Sequence, residues 1–317
     1  MISISPVRTI CADVEGHALA KRFFAAVIAR DQLSHAYLLV GIDGIGKRAC
    51  AEGVAQALFC PRLPEIGCGH CPACRAVAGG THTALTILKA EEGKRLEIGA
   101  VRELNPTLQI RTSDRRVVIL DDADRLADEA ANALLKILEE PPPGVVFLLI
   151  TSRPAQLLPT IASRCQRVPF AGLEPDEFER VLARLGAAVG GWPELYSTAT
   201  GSPGRALRFI NGIAALGEDT GAGRDRLLAL MDGHELAESP ERLSDALNAL
   251  PGESKKQKLR ALLGLLADAY AGHRVTEPLA RIRAARRALA VLELDRDLDI
   301  NVNSELVVER LAVLLRG

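Results

Sequence analysis

The sequence predicts a parallel α/β domain followed by all-helical segments. Three observations carry this. Short apolar runs alternate with helical patterns over the first half of the chain, a glycine-rich loop joins one apolar run directly to a helix, and beyond Ala171 no convincing strand is found. Strands alternating with helices imply a parallel sheet with helices on both faces.

Taken in order, Ala36 to Val40 (AYLLV) reads as a short strand, Gly41 to Gly46 as a tight loop and Lys47 to Phe59 as a helix. Leu85 to Leu88 is a further strand candidate. Val117 to Leu120 (VVIL) is a buried strand ended by Asp121 and Asp122. Glu129 to Glu140 is a helix with Ala130, Ala133, Leu134, Ile137 and Leu138 on one face. Pro141 to Pro143 stop it, because proline cannot continue a helix. Val145 to Ile150 is a strand, and Arg167 to Phe170 another candidate. Pro175 to Leu185 is an amphipathic helix with Phe178, Val181, Leu182 and Leu185 inward and Gly186 at its end. Gly201 to Gly204 interrupts two short helices, and residues 212–223 form a Gly- and Ala-rich connector. Lys255 to Tyr270 carries leucines at helical spacing, and Asn303 can cap a last helix bearing Val307, Val308, Leu311, Leu314 and Leu315. The expected divisions are residues 1–170, 171–221 and 222–317.

Composition narrows the function. The chain of 317 residues is 48% hydrophobic but only 3% aromatic, so its cores are aliphatic. A formal net charge of −1 excludes a polycation and makes strong nucleic-acid binding by the isolated chain improbable. No run of about 20 uninterrupted apolar residues exists, so no membrane span is expected. Met1 to Cys11 lacks the pattern of a signal peptide. Seven cysteines, an odd number, point to a reducing cytoplasm.

Gly41-Ile-Asp-Gly44-Ile-Gly46-Lys47-Arg48 matches the Walker A pattern through its lysine. Its glycines let backbone N–H groups turn around phosphates, and the helix that follows offers its positive end. Lys47 is placed to reach the terminal phosphates. The next residue is ordinarily Ser or Thr, whose hydroxyl holds Mg²⁺. Arg48 cannot ligate a cation and repels one. The expectation is a site that binds ATP or ADP weakly, without efficient hydrolysis. Asp121 and Asp122 at the end of VVIL resemble a Walker B pair, with Asp121 acting on Mg²⁺ through water. Asp122 stands where hydrolysing members carry Glu, and a misplacement of about 1 Å can cost roughly 10²-fold.

Cys60-x7-Cys68-x2-Cys71-x2-Cys74 has tight metal-ligand spacing in a loop rich in Pro and Gly. Four thiolates bind Zn²⁺ tetrahedrally and can staple a loop too small to have its own core, so a structural zinc site is expected.

These features together resemble the bacterial DNA polymerase III clamp-loader subunits of the AAA+ superfamily. The resemblance rests on Ser34-His-Ala-Tyr-Leu before the loop, the four cysteines, Ala131-Asn-Ala-Leu-Leu-Lys-Ile-Leu-Glu-Glu-Pro-Pro142, Ser163-Arg-Cys165 and Gly201-Ser-Pro-Gly-Arg205. It runs from about residue 10 to residue 210. It implies a RecA-like parallel sheet, a small helical lid and an all-α collar that mediates oligomerisation. It also implies that Arg164 is an arginine finger acting in trans on ATP held by a neighbour. Thr151 and Ser152 take the sensor-1 position, and Arg205 the sensor-2 position. The implied partners are delta and gamma/tau subunits in a hetero-pentamer, with the sliding clamp and primed DNA reached through that complex.

The family has ATP-hydrolysing motors and a stator-like partner. Motors normally carry Thr after the P-loop lysine and Asp-Glu at the strand end. Arg48 and Asp122 therefore point to the stator-like branch, a component of the polymerase holoenzyme without ATPase activity as an isolated chain. Lys47 leaves nucleotide binding open. Two alternatives are a working motor of the same loader, and a small P-loop kinase with a zinc-stapled lid. The kinase reading leaves Ser163-Arg-Cys165 and the helical tail unexplained.

Overall fold

A computed structural model describes residues 10–11, 14–90, 94–104, 115–187, 195–196 and 199–215, with the helical positions 290, 291, 294, 307, 310 and 311. The chain divides into two compact units, Met1–Leu173 and Glu174–Gly317.

The first unit is built on a five-stranded sheet of β1 (Ala36–Val40), β2 (Leu85–Lys89), β3 (Arg116–Asp121), β4 (Val145–Thr151) and β5 (Gln166–Pro169), in the order β2-β3-β4-β1-β5. All four pairings are parallel. β1, β3 and β4 lie inside the sheet, and every residue of β1 and β4 is buried, as continuous apolar runs require when both faces are covered. Proline 169 ends the short edge strand β5, a position that needs no ladder donor.

Alternation along the strands feeds two separate cores. Tyr37, Leu39, Val117, Ile119, Leu148 and Ile150 face one layer. That layer packs against Phe24 and Ile28 of α1 (Ala18–Ala29) and Cys50 and Val54 of α2 (Lys47–Phe59). Leu38, Val118, Leu120, Phe147 and Leu149 face the other. They meet Val101 of α4 (Ile98–Arg102), Leu134 and Leu138 of α5 (Asp128–Glu139), and Ile161 of α6 (Pro159–Ala162). The short helix α3 (Pro72–Ala78) belongs to the cysteine loop.

Several boundaries shift from the sequence reading. β3 extends through Asp121 and β4 through Thr151, because both residues still pair: Asp121 with Lys89, and Thr151 with Val40. The helix α1 escapes the strand-helix reading, although Ala20, Phe24 and Ile28 recur at four-residue spacing on its buried face.

In the second unit, α7 (Pro175–Arg184) opens with a capping box between Glu174 and Glu177 and buries Phe178 and Leu182. Leu185, expected inward, is 56% exposed. The helix has ended there: Gly186 takes φ +76°, and the Ala187 amide turns back to the Leu182 carbonyl. α8 (Pro203–Ala215) follows the Gly-Ser-Pro-Gly segment. Val307 and Leu311, one turn apart, are helical and fully buried. The connector beyond residue 215, the helix over Lys255 to Tyr270, Asn303 and the division near residue 222 lie outside the described residues.

Candidate functional site

The glycine-rich loop leaves the tip of β1 and enters α2. Gly41 is crowded: a Cβ there would lie 2.4 Å from the Phe170 carbonyl oxygen, so only glycine lets the loop pass β5. Its amide donates to the Thr151 carbonyl at 3.3 Å, which ties the loop to β4. Gly46 adopts φ +95°, the left-handed turn that hands the chain to the helix. His17 accompanies the loop from below. Its Nε2 lies 2.6 Å from the Ile45 carbonyl oxygen, and its ring centroid is 4.7 Å from that of Phe170.

Lys47 is 5% exposed, and its Nζ donates to the carbonyls of Gly41 and Ile42, each at 2.7 Å. Burial pulls its pKa below the ordinary lysine value, while Asp43, Asp121, Asp122 and Asp124 act in the opposite sense and favour the charge.

Arg48 reaches the position where a metal-using loop would share its cation with the strand end. Its Nη1 donates to Asp121 Oδ2 at 3.1 Å and its Nε to Glu52 Oε1 at 2.6 Å. Lys89 Nζ, at the tip of β2, lies 3.7 Å from the same Asp121 oxygen. Asp121, the residue expected to act on Mg²⁺ through water, thus pairs with two cations of the chain itself. Asp122 sits beside it at φ +57° and starts a 3-10 turn through Arg125. Burial, then the neighbouring Asp121 charge, raises its pKa above the ordinary carboxylate value.

Thr151, fully buried, donates its hydroxyl to Asp124 and accepts the Arg153 amide at 3.0 Å. Ser152 is half-buried just past the strand. The first unit thus brings together Gly41, Gly44, Gly46, Lys47, Arg48, Asp121, Asp122 and Thr151 around the tips of β1, β3 and β4. Arg205 belongs to the second unit, where its Nη1 donates to Thr200 Oγ1 at 3.1 Å and its amide to Ser202 Oγ at 3.3 Å.

Arg164 lies elsewhere on the first unit, past the end of α6. Its Nη2 donates to Glu139 Oε1 at 2.7 Å, and its Nη1 to the Thr160 carbonyl at 3.0 Å. The side chain is 36% exposed. Two of the motifs that carry the resemblance, Ala131 to Pro142 and Ser163 to Cys165, therefore meet through one ion pair.

The sulfurs of Cys60, Cys68, Cys71 and Cys74 all lie within 4.8 Å of one another, and all four residues are buried. Cys60 and Cys71 are 3.9 Å apart, and Cys68 and Cys74 4.0 Å. A tetrahedron with Zn–S bonds of about 2.3 Å has edges of about 3.8 Å, so the donor set fits zinc. Backbone amides support the sulfurs: Leu63 and Cys68 donate to Cys60, Cys71 to Cys68, and Cys74 to Cys71, at 3.3 to 3.4 Å. Burial raises the Cys68 thiol, but the amides of His70 and Cys71, together with the Cys71 and Cys60 side chains, bring it down to about 6. Gly67 and Gly69, both at positive φ, make the turns between ligands.

Sequence reasoning missed Glu52, Lys89, His17 and Glu139. Glu52 had a signal, since it follows Arg48 by four residues on a helix. The other three depend on strand order and loop packing, which no local spacing encodes.

The family model for the DNA polymerase III, delta subunit matches residues 16–174. A DNA polymerase III subunit delta' of Pseudomonas aeruginosa is 44% identical over 181 residues, 52% of this chain and 55% of that protein. The corresponding delta' subunit of Escherichia coli is 36% identical, over 56% of this chain and 55% of its own length. A gamma/tau subunit of Mycobacterium bovis is 30% identical over 75% of this chain and 42% of its own. The chain thus spans about half the length of the curated relatives it matches. A DNA polymerase III gamma subunit-related protein of Thermotoga maritima shares the fold, with a TM-score of 0.54 at 20% identity over 93% of this chain and 98% of that one.

Proposed function

The chain belongs to the DNA polymerase III, delta subunit family, and from that premise we propose that it is the stator-like, delta-prime component of a clamp loader. In this reading it assembles with delta and gamma/tau subunits in a hetero-pentamer and helps to place the sliding clamp on primed DNA. DNA is held by the assembly through backbone phosphates, which position without reading sequence. The Arg48–Asp121 ion pair carries the choice of branch. It puts a guanidinium where a motor needs a metal ion, and so supports a nucleotide loop that binds ATP or ADP weakly and does not hydrolyse it. The gamma/tau relative at 30% identity keeps the motor reading in view, but that reading requires Asp121 to be available to magnesium. Family membership displaces the kinase alternative.

Two further roles complete the proposal. Arg164, on the surface and at the end of a short helix, acts in trans on ATP bound by a neighbouring motor. The four cysteines hold a structural Zn²⁺, whose chemistry is to fix the loop and not to react, because four thiolates leave no open position. Residues 222–317 serve as the collar that joins subunits.

The test is reconstitution. The purified chain alone is expected to turn over no ATP above background, yet to be required for clamp loading when mixed with delta and gamma/tau. ATP turnover by the isolated chain, abolished by Lys47→Ala, would establish the motor reading instead. Failure to co-assemble with the other loader subunits would defeat both.

A further inference from the structure

The residue after the P-loop lysine and the aspartate at the strand end are the two protein groups that share magnesium in hydrolysing P-loop proteins. Here they are bonded to each other. Arg48 donates to Asp121 at 3.1 Å, and Glu52 holds the other side of the guanidinium at 2.6 Å. Lys89 adds a second cation 3.7 Å from the same Asp121 oxygen. We propose that Arg48 is a built-in substitute for the metal, and that the loop takes a nucleoside diphosphate without any divalent ion. This rests on the reading of Gly41 to Arg48 as a nucleotide loop.

Three arguments lead there. First, a divalent ion entering this position must break the Arg48–Asp121 bond and then sit against two cations, Arg48 and Lys89. It gains a carboxylate only by displacing that carboxylate's partner. Second, Lys89 on the neighbouring strand offsets the charge of Asp121, which leaves the Arg48 guanidinium to face the ligand with one charge where magnesium carries two. It therefore suits a ligand with less phosphate charge, a diphosphate in preference to a triphosphate. The surroundings add to this, since the carboxylates of Asp43, Asp122 and Asp124 are near enough to act on the charge of Lys47 and leave less positive field for an extra phosphate. Third, the cation is already positioned. Glu52 is on the same helix one turn on, Arg48 is 33% exposed at its side chain, and a guanidinium has N–H donors to spare beyond these two contacts. Lys47 is likewise held at the loop by the carbonyls of Gly41 and Ile42, from which a phosphate could take it over.

Calorimetric titration of the full-length chain with ADP and with ATP, each in Mg²⁺ and in excess EDTA, tests the proposal. ADP is expected to bind with a Kd that changes by less than about twofold between the two buffers, and ATP to bind at least about threefold more weakly than ADP in EDTA. Arg48→Thr is expected to make ADP binding depend on Mg²⁺ by about tenfold or more. A circular dichroism melt checks that the variant folds, and the wild-type titrations decide the matter on their own if it does not. Tightening of wild-type ADP binding by Mg²⁺ of about tenfold or more, preference for ATP in EDTA, or no ADP binding in either buffer would each overturn it. None of these outcomes touches co-assembly with the loader subunits, which tests the functional reading separately.

Discussion

Arg164 poses a competition that the structure allows to be weighed. Its guanidinium is bound within the chain, to Glu139 at 2.7 Å, yet the proposed role sends it to a phosphate on another subunit. Both side chains of the pair are more than a third exposed, at 36% and 44%. Exposed pairs of this kind contribute about 0.2–1 kcal/mol. Releasing Arg164 from Glu139 therefore costs at most about fivefold in rate. An arginine finger is worth roughly 10³ to 10⁵ in turnover, or about 4–7 kcal/mol. If Arg164 has the proposed role, the finger term would dominate and Glu139 would serve only as a parking place. In a reconstituted loader assayed for clamp- and DNA-stimulated ATP turnover, Glu139→Gln should raise the rate by no more than about fivefold. Arg164→Ala should lower it by at least roughly 10²-fold without loss of assembly. The double variant should match Arg164→Ala, because Glu139 has nothing left to hold. If Arg164→Ala stays within about twofold of wild type, Arg164 is a surface ion-pair residue and the finger assignment fails.

The cysteine loop should depend on a metal, since among the described residues the apolar cluster at its centre is the four cysteines with Ala73 packed against them. The wild-type chain should purify with close to one zinc, and Cys74→Ser should lose it together with hydrogen-exchange protection over residues 60–80; a wild-type chain free of zinc by elemental analysis refutes this. Asp122 carries a raised pKa, so the folded state holds its proton more tightly than the unfolded state, and stability falls as pH rises from the ordinary carboxylate value through the folded one. Asp122→Asn, which also suits the left-handed backbone, should raise Tm by a few degrees (~3 °C) at pH 7 and by less at pH 4; an equal shift at both values would assign the gain to the backbone alone. Gly41→Ala should cost about 1–3 kcal/mol in denaturant unfolding, because its Cβ meets backbone at 2.4 Å; a neutral result would mean that β5 moves aside freely.

Much of the first unit was legible because its signals are local. Apolar runs gave β1, β3 and β4, and the glycines placed the loop between β1 and α2. Proline punctuation ended α5, and cysteine spacing marked the four residues whose sulfurs cluster. The acidic pair Asp121 and Asp122 was placed by the apolar run before it, whereas the position of Thr151 was implied by the resemblance and not by its strand. What escaped is what depends on strands distant in sequence. Nothing near Arg48 announces that Asp121, 73 residues away, becomes its partner. That contact needs β3 to pair with β4 and β4 with β1. Nor does Lys89 show its role until β2 is placed beside β3. Leu185 was misjudged for the opposite reason: helical spacing was extrapolated one residue past Arg184, where the helix ends and Gly186 is about to turn the chain.

The division of the first unit into two apolar layers has a consequence for how damage spreads. Neighbouring residues of β3 and β4 face opposite ways, so the layer behind α2 and the layer behind α5 and α6 share a backbone but few side chains. A cavity cut at Val54 and one cut at Leu134 should then be thermodynamically independent, with losses that add to within about 0.5 kcal/mol. The sheet should then act as a firewall: a cavity in the layer that supports the loop lysine is expected to leave the packing beneath Arg164 unaltered. Such partitioning would let one face decay over generations while the other stayed under selection, within a single cooperatively folding body.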